Sequence, residues 1–161
     1  MRYLIVCGGK TDKEFGLNEI KTDGIDAIIA ADSGMDFLYE NGVTPDIIVG
    51  DFDSATTKAL EFFERKGQTE IHRLNPIKDD TDTEYAIRLA IREGARSIVM
   101  LGATGSRIDH VLGNISLLGI GLESGTDISI IDTNNRIRMA DKPVTIEKSA
   151  QYGRVCLLIA V

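Results

Sequence analysis

Residues 47 to 56 read IIVGDFDSAT, three apolar residues and a glycine running into two aspartates that flank a phenylalanine. Two carboxylates about 4 Å apart repel by roughly 4 kcal/mol at an effective dielectric near 20. Water, a proton or a cation must offset that cost. A hard divalent cation such as Mg²⁺ does so naturally, because it takes oxygen ligands, usually one or two carboxylates plus waters and phosphate oxygens. Asp51 and Asp53 are therefore candidate metal ligands.

Other reactive residues follow other apolar runs. Asp32-Ser33-Gly34 follows the second run, and Asn75-Pro-Ile-Lys78-Asp79-Asp80-Thr81-Asp82 the fourth. The fifth leads into Gly102-Ala-Thr104-Gly105-Ser-Arg107-Ile-Asp109-His110. Each has a plainer reading. Ser54, Asp80 or Thr81 could cap the helix that follows, where Asp, Ser and Thr are favoured. Asp82, in a first helical turn, would be stabilised by the helix dipole. The glycine turn after the fifth run could bare N–H groups to a phosphate or simply be tight. It matches neither a P-loop nor a dinucleotide fingerprint. Lys78 and Arg107 favour phosphate, since both suit its oxygens. His72 alternates with apolar neighbours and reads as structural; His110, beside Asp109, is a candidate ligand contact.

The elements that must carry these residues alternate. Six short runs, Leu4–Cys7, Ala27–Ala31, Ile47–Val49, Ile71–Leu74, Ile98–Leu101 and Ile128–Ile131, read as strands buried on both faces of a parallel sheet. Helices are expected near 12–20, 34–41, 56–66, 81–93 and 109–123, the fourth opening on a Thr81/Glu84 capping box. Strand and helix in repeated alternation mean an α/β, Rossmann-like, mostly parallel six-stranded sheet with helices on both faces. Ligands of such sheets bind beyond the carboxyl ends of the strands, where all these residues fall. After Asp132 the helical period stops. Residues 1–135 are expected to form the α/β domain and 136–161 the start of an all-β sandwich domain, truncated within the apolar run Val155–Val161.

The chain has 161 residues, 43% hydrophobic and 27% charged, with a formal net charge of −7. That is enough apolar material for a sizeable core, and the acidic balance disfavours nucleic-acid or anionic-membrane partners. An anionic ligand would then be held through a divalent cation. Cys7 and Cys156 sit in apolar runs without metal-ligand spacing and read as reduced buried thiols. The five-residue apolar run near the N-terminus is too short for a signal peptide or membrane span, so a cytoplasmic location is expected.

Asp32-Ser-Gly, Pro45-Asp46 leading to Gly50-Asp-Phe-Asp-Ser54, Lys78-Asp-Asp-Thr-Asp82 and Leu101-Gly-Ala-Thr-Gly-Ser-Arg-Ile-Asp-His110 with Asn114 occur in that order. Together these motifs closely resemble the catalytic domain of the thiamin pyrophosphokinase family, over residues 1 to about 135. The resemblance implies a Rossmann-like domain followed by a β-sandwich, paired in a homodimer. It implies transfer of the pyrophosphoryl group of ATP to the hydroxyl of thiamin, with Mg²⁺, releasing AMP. It makes Asp51, Asp53 and Asp79 the Mg²⁺ ligands, and Asp82, with Asp51 and Asp79, catalytic, Asp82 orienting or deprotonating the thiamin hydroxyl. It places Asp32, Ser33, Gly34, Lys78, Thr104, Gly105, Arg107, Asp109, His110 and Asn114 against nucleotide or thiamin. Two rivals stay open. A phosphatase of the haloacid-dehalogenase type also carries Asp-x-Asp, though normally after the first strand. A non-catalytic nucleotide- or thiamin-binding relative is the other.

Overall fold

The computed structural model describes residues 1–52, 58–75 and 81–146. Its strands are β1 (Arg2–Val6), β2 (Ala27–Ala31), β3 (Ile47–Gly50), β4 (Glu70–Arg73), β5 (Ser97–Leu101), β6 (Asp127–Ile131) and β7 (Arg136–Arg138). Its helices are α1 (Lys13–Ile20), α2 (Gly34–Glu40), α3 (Lys58–Lys66), α4 (Asp82–Arg92) and α5 (Ile108–Ser124). One sheet runs in the order β4-β3-β2-β1-β5-β6-β7, parallel except where β7 pairs antiparallel with β6.

Alternation along the central strands divides the core. Leu4 and Val6 of β1 point with Ile48 toward Met35, Leu38, Leu60 and Phe63 of α2 and α3. Tyr3 and Ile5 point with Ile98 and Met100 the other way, toward Ala86, Ile87 and Ala90 of α4 and Leu118 of α5. A strand covered on both sides has no face for polar residues, which is why these runs lack a period of two. Phe63 is fully buried, and truncating such a residue to alanine costs about 3–5 kcal/mol.

The six expected strands and five helices are present, with most ends shifted by a residue or two. The start of the third helix near residue 56 lies outside the described residues. The sheet has a seventh strand, however, where six were expected. Arg136–Arg138 hydrogen-bonds to β6 as the sheet's antiparallel edge, through the register Ser129↔Arg138, Ile130↔Ile137 and Ile131↔Arg136. The sequence pattern places these residues instead at the start of a separate all-β domain. The reason is physical: the polar–apolar–polar alternation of Arg136–Arg138 is that of a strand but does not say which sheet it joins, and pairing with β6 decides that. Cys7 is a buried free thiol as expected; Cys156 and the run Val155–Val161 lie outside the described residues. Among the described residues no helix is long and apolar enough to cross a membrane.

Candidate active site

A cleft of about 760 Å³ lies over the carboxyl ends of β1, β2 and β5. The chain passes from β1 to β2 on one side, while β5 pairs with β1 on the other. The loops after β1 and β5 touch where they leave the sheet, the Gly9 N–H donating to the Gly102 carbonyl at 2.9 Å, and the cleft opens above that contact. Its walls are Gly8–Lys10 after β1, Asp32 and Ser33 after β2, Thr81–Thr83 at the start of α4, and the Gly102–Arg107 turn with the first turns of α5.

Close backbone approach shapes these walls. A Cβ on Gly34 would run into the carbonyl oxygen of Val6, so α2 can start against β1 only with glycine there. Gly102 has φ +65, and a Cβ on it would lie 2.5 Å from the Cys7 carbonyl oxygen. Among the described residues two non-glycine residues also take positive φ, Asp32 at +50 and Phe52 at +54. Such backbone costs of order 1–3 kcal/mol and persists only where its surroundings hold it. Asp32 is held at both ends: its N–H donates to Val49 at 2.8 Å, and its carbonyl accepts from Met35 at 3.3 Å. Phe52 is held by its ring. The ring fills the space a Cβ on Gly50 would take, 2.7 Å from Cε1, and the Arg73 guanidinium sits 5.5 Å from its centroid. Phe52 thus anchors the turn that carries Asp51.

At the start of α4 the Thr81 hydroxyl accepts from the Glu84 N–H at 3.1 Å, the expected cap. The Glu84 carboxylate pairs with Arg88 one turn on, at 2.7 Å. Asp82 follows the cap in the first turn and faces the cleft. Thr83 donates to the Cys7 sulfur at 3.9 Å. Burial pushes the Cys7 thiol up to about 12, which leaves it a small apolar floor residue rather than a nucleophile.

Across the cleft, Arg107 precedes α5 without a side-chain cap. Its guanidinium grips Asp109 through Nη2–Oδ2 at 2.6 Å and Nε–Oδ1 at 3.2 Å, holding that carboxyl below the usual carboxylate range. Asn114 donates to the Ala103 carbonyl at 2.8 Å and so pins the glycine turn. Thr104 donates to Asp132 at 2.9 Å. Asp132 also accepts from the N–H groups of Asn134 and Asn135, both at 2.8 Å, and from the Asn135 amide.

The cleft brings together Asp32, Ser33, Asp82, Thr104, Gly105, Arg107, Asp109, His110 and Asn114. Gly34 is buried beneath it rather than lining it. Asp51 is half-buried beyond the end of β3 and outside the lining. Asp53, Lys78 and Asp79 lie outside the described residues. Among the described residues no three His, Cys, Asp or Glu side chains converge to hold a metal ion. His72 bonds Tyr85 and Glu70 and lies apart from the cleft, a structural role as expected. Lys10 lines the cleft and was not anticipated, although the pair Gly8-Gly9 after an apolar run was a usable signal. Asp132 carried no signal at all; its importance comes from a hydrogen bond to a residue 28 positions away.

Charge in the cleft is unfavourable to a bare polyphosphate. The described lining holds three carboxylates, Asp32, Asp82 and Asp109, against two cations, Lys10 and Arg107. Arg107 is already committed to Asp109.

Residues 21–130 match the family described as thiamin pyrophosphokinase, catalytic domain. A thiamine pyrophosphokinase of Bacillus subtilis is 37% identical over 111 residues, which cover 69% of this chain and 51% of that protein. The crystal structure of thiamine pyrophosphokinase from Bacillus subtilis superposes with a TM-score of 0.73 at 32% identity, covering 86% of this chain and 64% of the other. That of thiamin pyrophosphokinase from Geobacillus thermodenitrificans gives 0.68 at 30% identity, covering 83% and 60%. The chain thus spans about half the length of the curated relative. With the match running from before β2 almost to the end of β6, through the cleft walls after β2 and β5 and at the start of α4, the chain belongs to the thiamin pyrophosphokinase catalytic-domain family.

Proposed function

We propose that this chain carries the catalytic domain of a thiamin pyrophosphokinase, transferring the pyrophosphoryl group of ATP to the hydroxyl of thiamin. In that reaction the hydroxyl oxygen bonds to the β-phosphorus. The bond from that phosphorus to the oxygen of the α-phosphate breaks, and AMP leaves. Such a transfer needs in-line placement and shielding of charge, and little else from the protein.

The observation that carries the reading is the cleft over the carboxyl ends of β1, β2 and β5, whose lining holds an excess of carboxylates over cations. A triphosphate can enter it only with a cation beside it. The donor set expected for that cation, Asp51, Asp53 and Asp79, is all carboxylate oxygen, which suits Mg²⁺ and not a softer metal. Mg²⁺, when bound, neutralises polyphosphate oxygens. Asp82 accepts the proton of the thiamin hydroxyl and aims its oxygen. Lys78, Lys10 and the N–H groups of the Thr104–Arg107 turn meet phosphate oxygens, with the turn held in place by Asn114 and Asp132. Asp32, Ser33, Asp109 and His110 border the substrates. The protein works in the cytoplasm as a homodimer, with the residues after β7 leading into a β-rich second domain.

Incubation with ATP, Mg²⁺ and thiamin tests this. AMP and thiamin diphosphate in equal amounts are expected. Phosphate release from simple monoesters would favour a phosphatase, and binding without products a sensor.

A further inference from the structure

Gly50 and Arg73 are the last register pair of β3 and β4, beyond Ile48 and Ile71, whose side chains pack with Phe63 of α3. Alternation along the strands puts both positions on that same face. Glycine leaves its position empty, and Phe52 fills it: the chain turns at φ +54 and lays the ring over Gly50. The Arg73 guanidinium lies 5.5 Å from the ring centroid, within cation–π range, and donates to the Glu64 carboxylate of α3. We propose that Arg73 is a positioning residue for the candidate metal site, acting through Phe52. Pinned by Glu64, it holds the ring on Gly50 and so fixes the direction in which Asp51 presents its carboxylate. The proposal rests on the reading that Asp51 helps to hold a cation.

The need for a brace comes from the backbone. A bulky residue such as phenylalanine is rare at positive φ and relaxes to the ordinary region unless its surroundings prevent it. Asp51 and Asp53, both expected metal ligands, are the covalent neighbours of Phe52. A change in its φ therefore changes the spacing of their carboxylates, and Mg²⁺ demands near-octahedral geometry. Groups that orient metal ligands without touching the metal matter for affinity in their own right.

The place of Arg73 in the fold suits this task. Among the described residues β4 is the edge of the sheet, so no further strand covers the ring from that side. Arginine closes it in a way that lysine cannot: the flat guanidinium lies against the ring while its N–H fork donates to a carboxylate. The neighbouring His72 points to the opposite face, to Tyr85 of α4, and braces a different element. The Arg73 side chain is 57% exposed and that of Glu64 39%, so the ion pair itself adds little stability. Its consequence is the ring contact.

Titration with Mn²⁺, followed by loss of the free ion's paramagnetic resonance, tests this. The chains compared are wild type, Arg73→Ala, Arg73→Lys, Phe52→Leu and the double variant of Arg73→Ala with Phe52→Leu. Mn²⁺ stands in for Mg²⁺ at oxygen ligands. Affinity should fall about ten-fold in Arg73→Ala and in Phe52→Leu. The double variant should bind within about two-fold of Phe52→Leu alone, because losses that share one route do not add. Arg73→Lys keeps the charge and should still lose most of the affinity. In turnover, the Mg²⁺ needed for half-activity should rise about ten-fold in Arg73→Ala while the KM for thiamin stays constant. Arg73 lies at an exposed edge, so its variants should melt close to wild type.

Unchanged affinity in Arg73→Ala, additive losses in the double variant, or full recovery in Arg73→Lys overturns the proposal. Amide resonances of the metal-free chain separate it from the metal reading. Displaced Asp51 and Phe52 amides in Arg73→Ala, in a chain that binds no Mn²⁺, would support the brace while removing the metal. Mn²⁺ affinity lost in Asp51→Asn but kept in Arg73→Ala would do the reverse.

Discussion

The Asp132 carboxylate accepts the Thr104 hydroxyl at 2.9 Å and, through the same side chain, the N–H groups that close the β6–β7 turn. One residue at the end of β6 thus fixes the turn that opens α5. Burial pushes its carboxyl up. The Asn134 N–H, the Asn135 amide, the Thr104 hydroxyl and the Asn135 N–H together outweigh that and hold it below the usual range.

Thr104→Val removes the link and keeps the shape. We expect a loss of about 1–2 kcal/mol, with a KM for ATP raised more than kcat falls. Because Asp132 is held low in the folded state, its stabilisation is complete above the ordinary carboxylate pKa of about 3.9 and is lost as pH falls through the lower folded value. The stability difference between wild type and Asp132→Asn should therefore be constant above about pH 5 and close in stronger acid. A difference that grows with acid would contradict the hydrogen-bonded carboxylate. Denaturant titrations between pH 2 and 7 read it out.

Asp51→Asn should leave the fold intact and cut turnover by about a hundred-fold or more, since charge shielding is a large transition-state effect. The Mg²⁺ concentration needed for half-activity should rise with it. An unchanged Mg²⁺ dependence would remove Asp51 from the metal site.

For Asp82→Asn, kcat should fall about a hundred-fold or more with the KM for ATP nearly constant, the behaviour of a group that acts on a proton in the transition state. Its contribution to α4 through the helix dipole is only about 0.3–1 kcal/mol. A variant whose defect is confined to thermal melting would make Asp82 a helix-start residue.

Gly34→Ala places a methyl against the Val6 carbonyl oxygen at the root of the cleft. We expect about 3 kcal/mol of destabilisation, which lowers Tm by roughly 6–12 °C in a chain of this size. A melting curve overlaying the wild type would show that α2 can move away from β1 at no cost.

Much of this architecture was legible from residue order. Runs such as Ile47–Val49 and Ile98–Leu101 announce strands buried on both faces, and Thr81 with Glu84 marks the start of α4. What escaped was information held by partners rather than by local pattern. Arg136–Arg138 joins the main sheet, rather than a separate β domain, because β6 offers it hydrogen bonds. Asp132 matters because Thr104 folds back to it. The commitment of Arg107 to Asp109 depends on a rotamer choice that spacing alone leaves open. The aspartates were visible as residue types, yet which of them shares a wall with which was set by strand order.

That strand order also dictates when the cleft comes into being. β1 is the first strand made, but its neighbour β5 is nearly the last of the parallel set; Tyr3 and Glu93, joined by a hydrogen bond of 2.9 Å, are 90 residues apart in the chain. Closing so long a loop is an entropic cost met before the contacts it allows, and such pairings form slowly. During synthesis β1 can pair with β2 early, yet it waits with one edge bare until the ribosome has released β5. The turns after β1 and β5 meet only at that moment, so nucleotide cannot template the early steps of folding. In pulse-labelled exchange, the amides bridging β1 and β5 should gain protection after those bridging β1 and β2, and ligand added at the outset should leave the earlier phase unchanged.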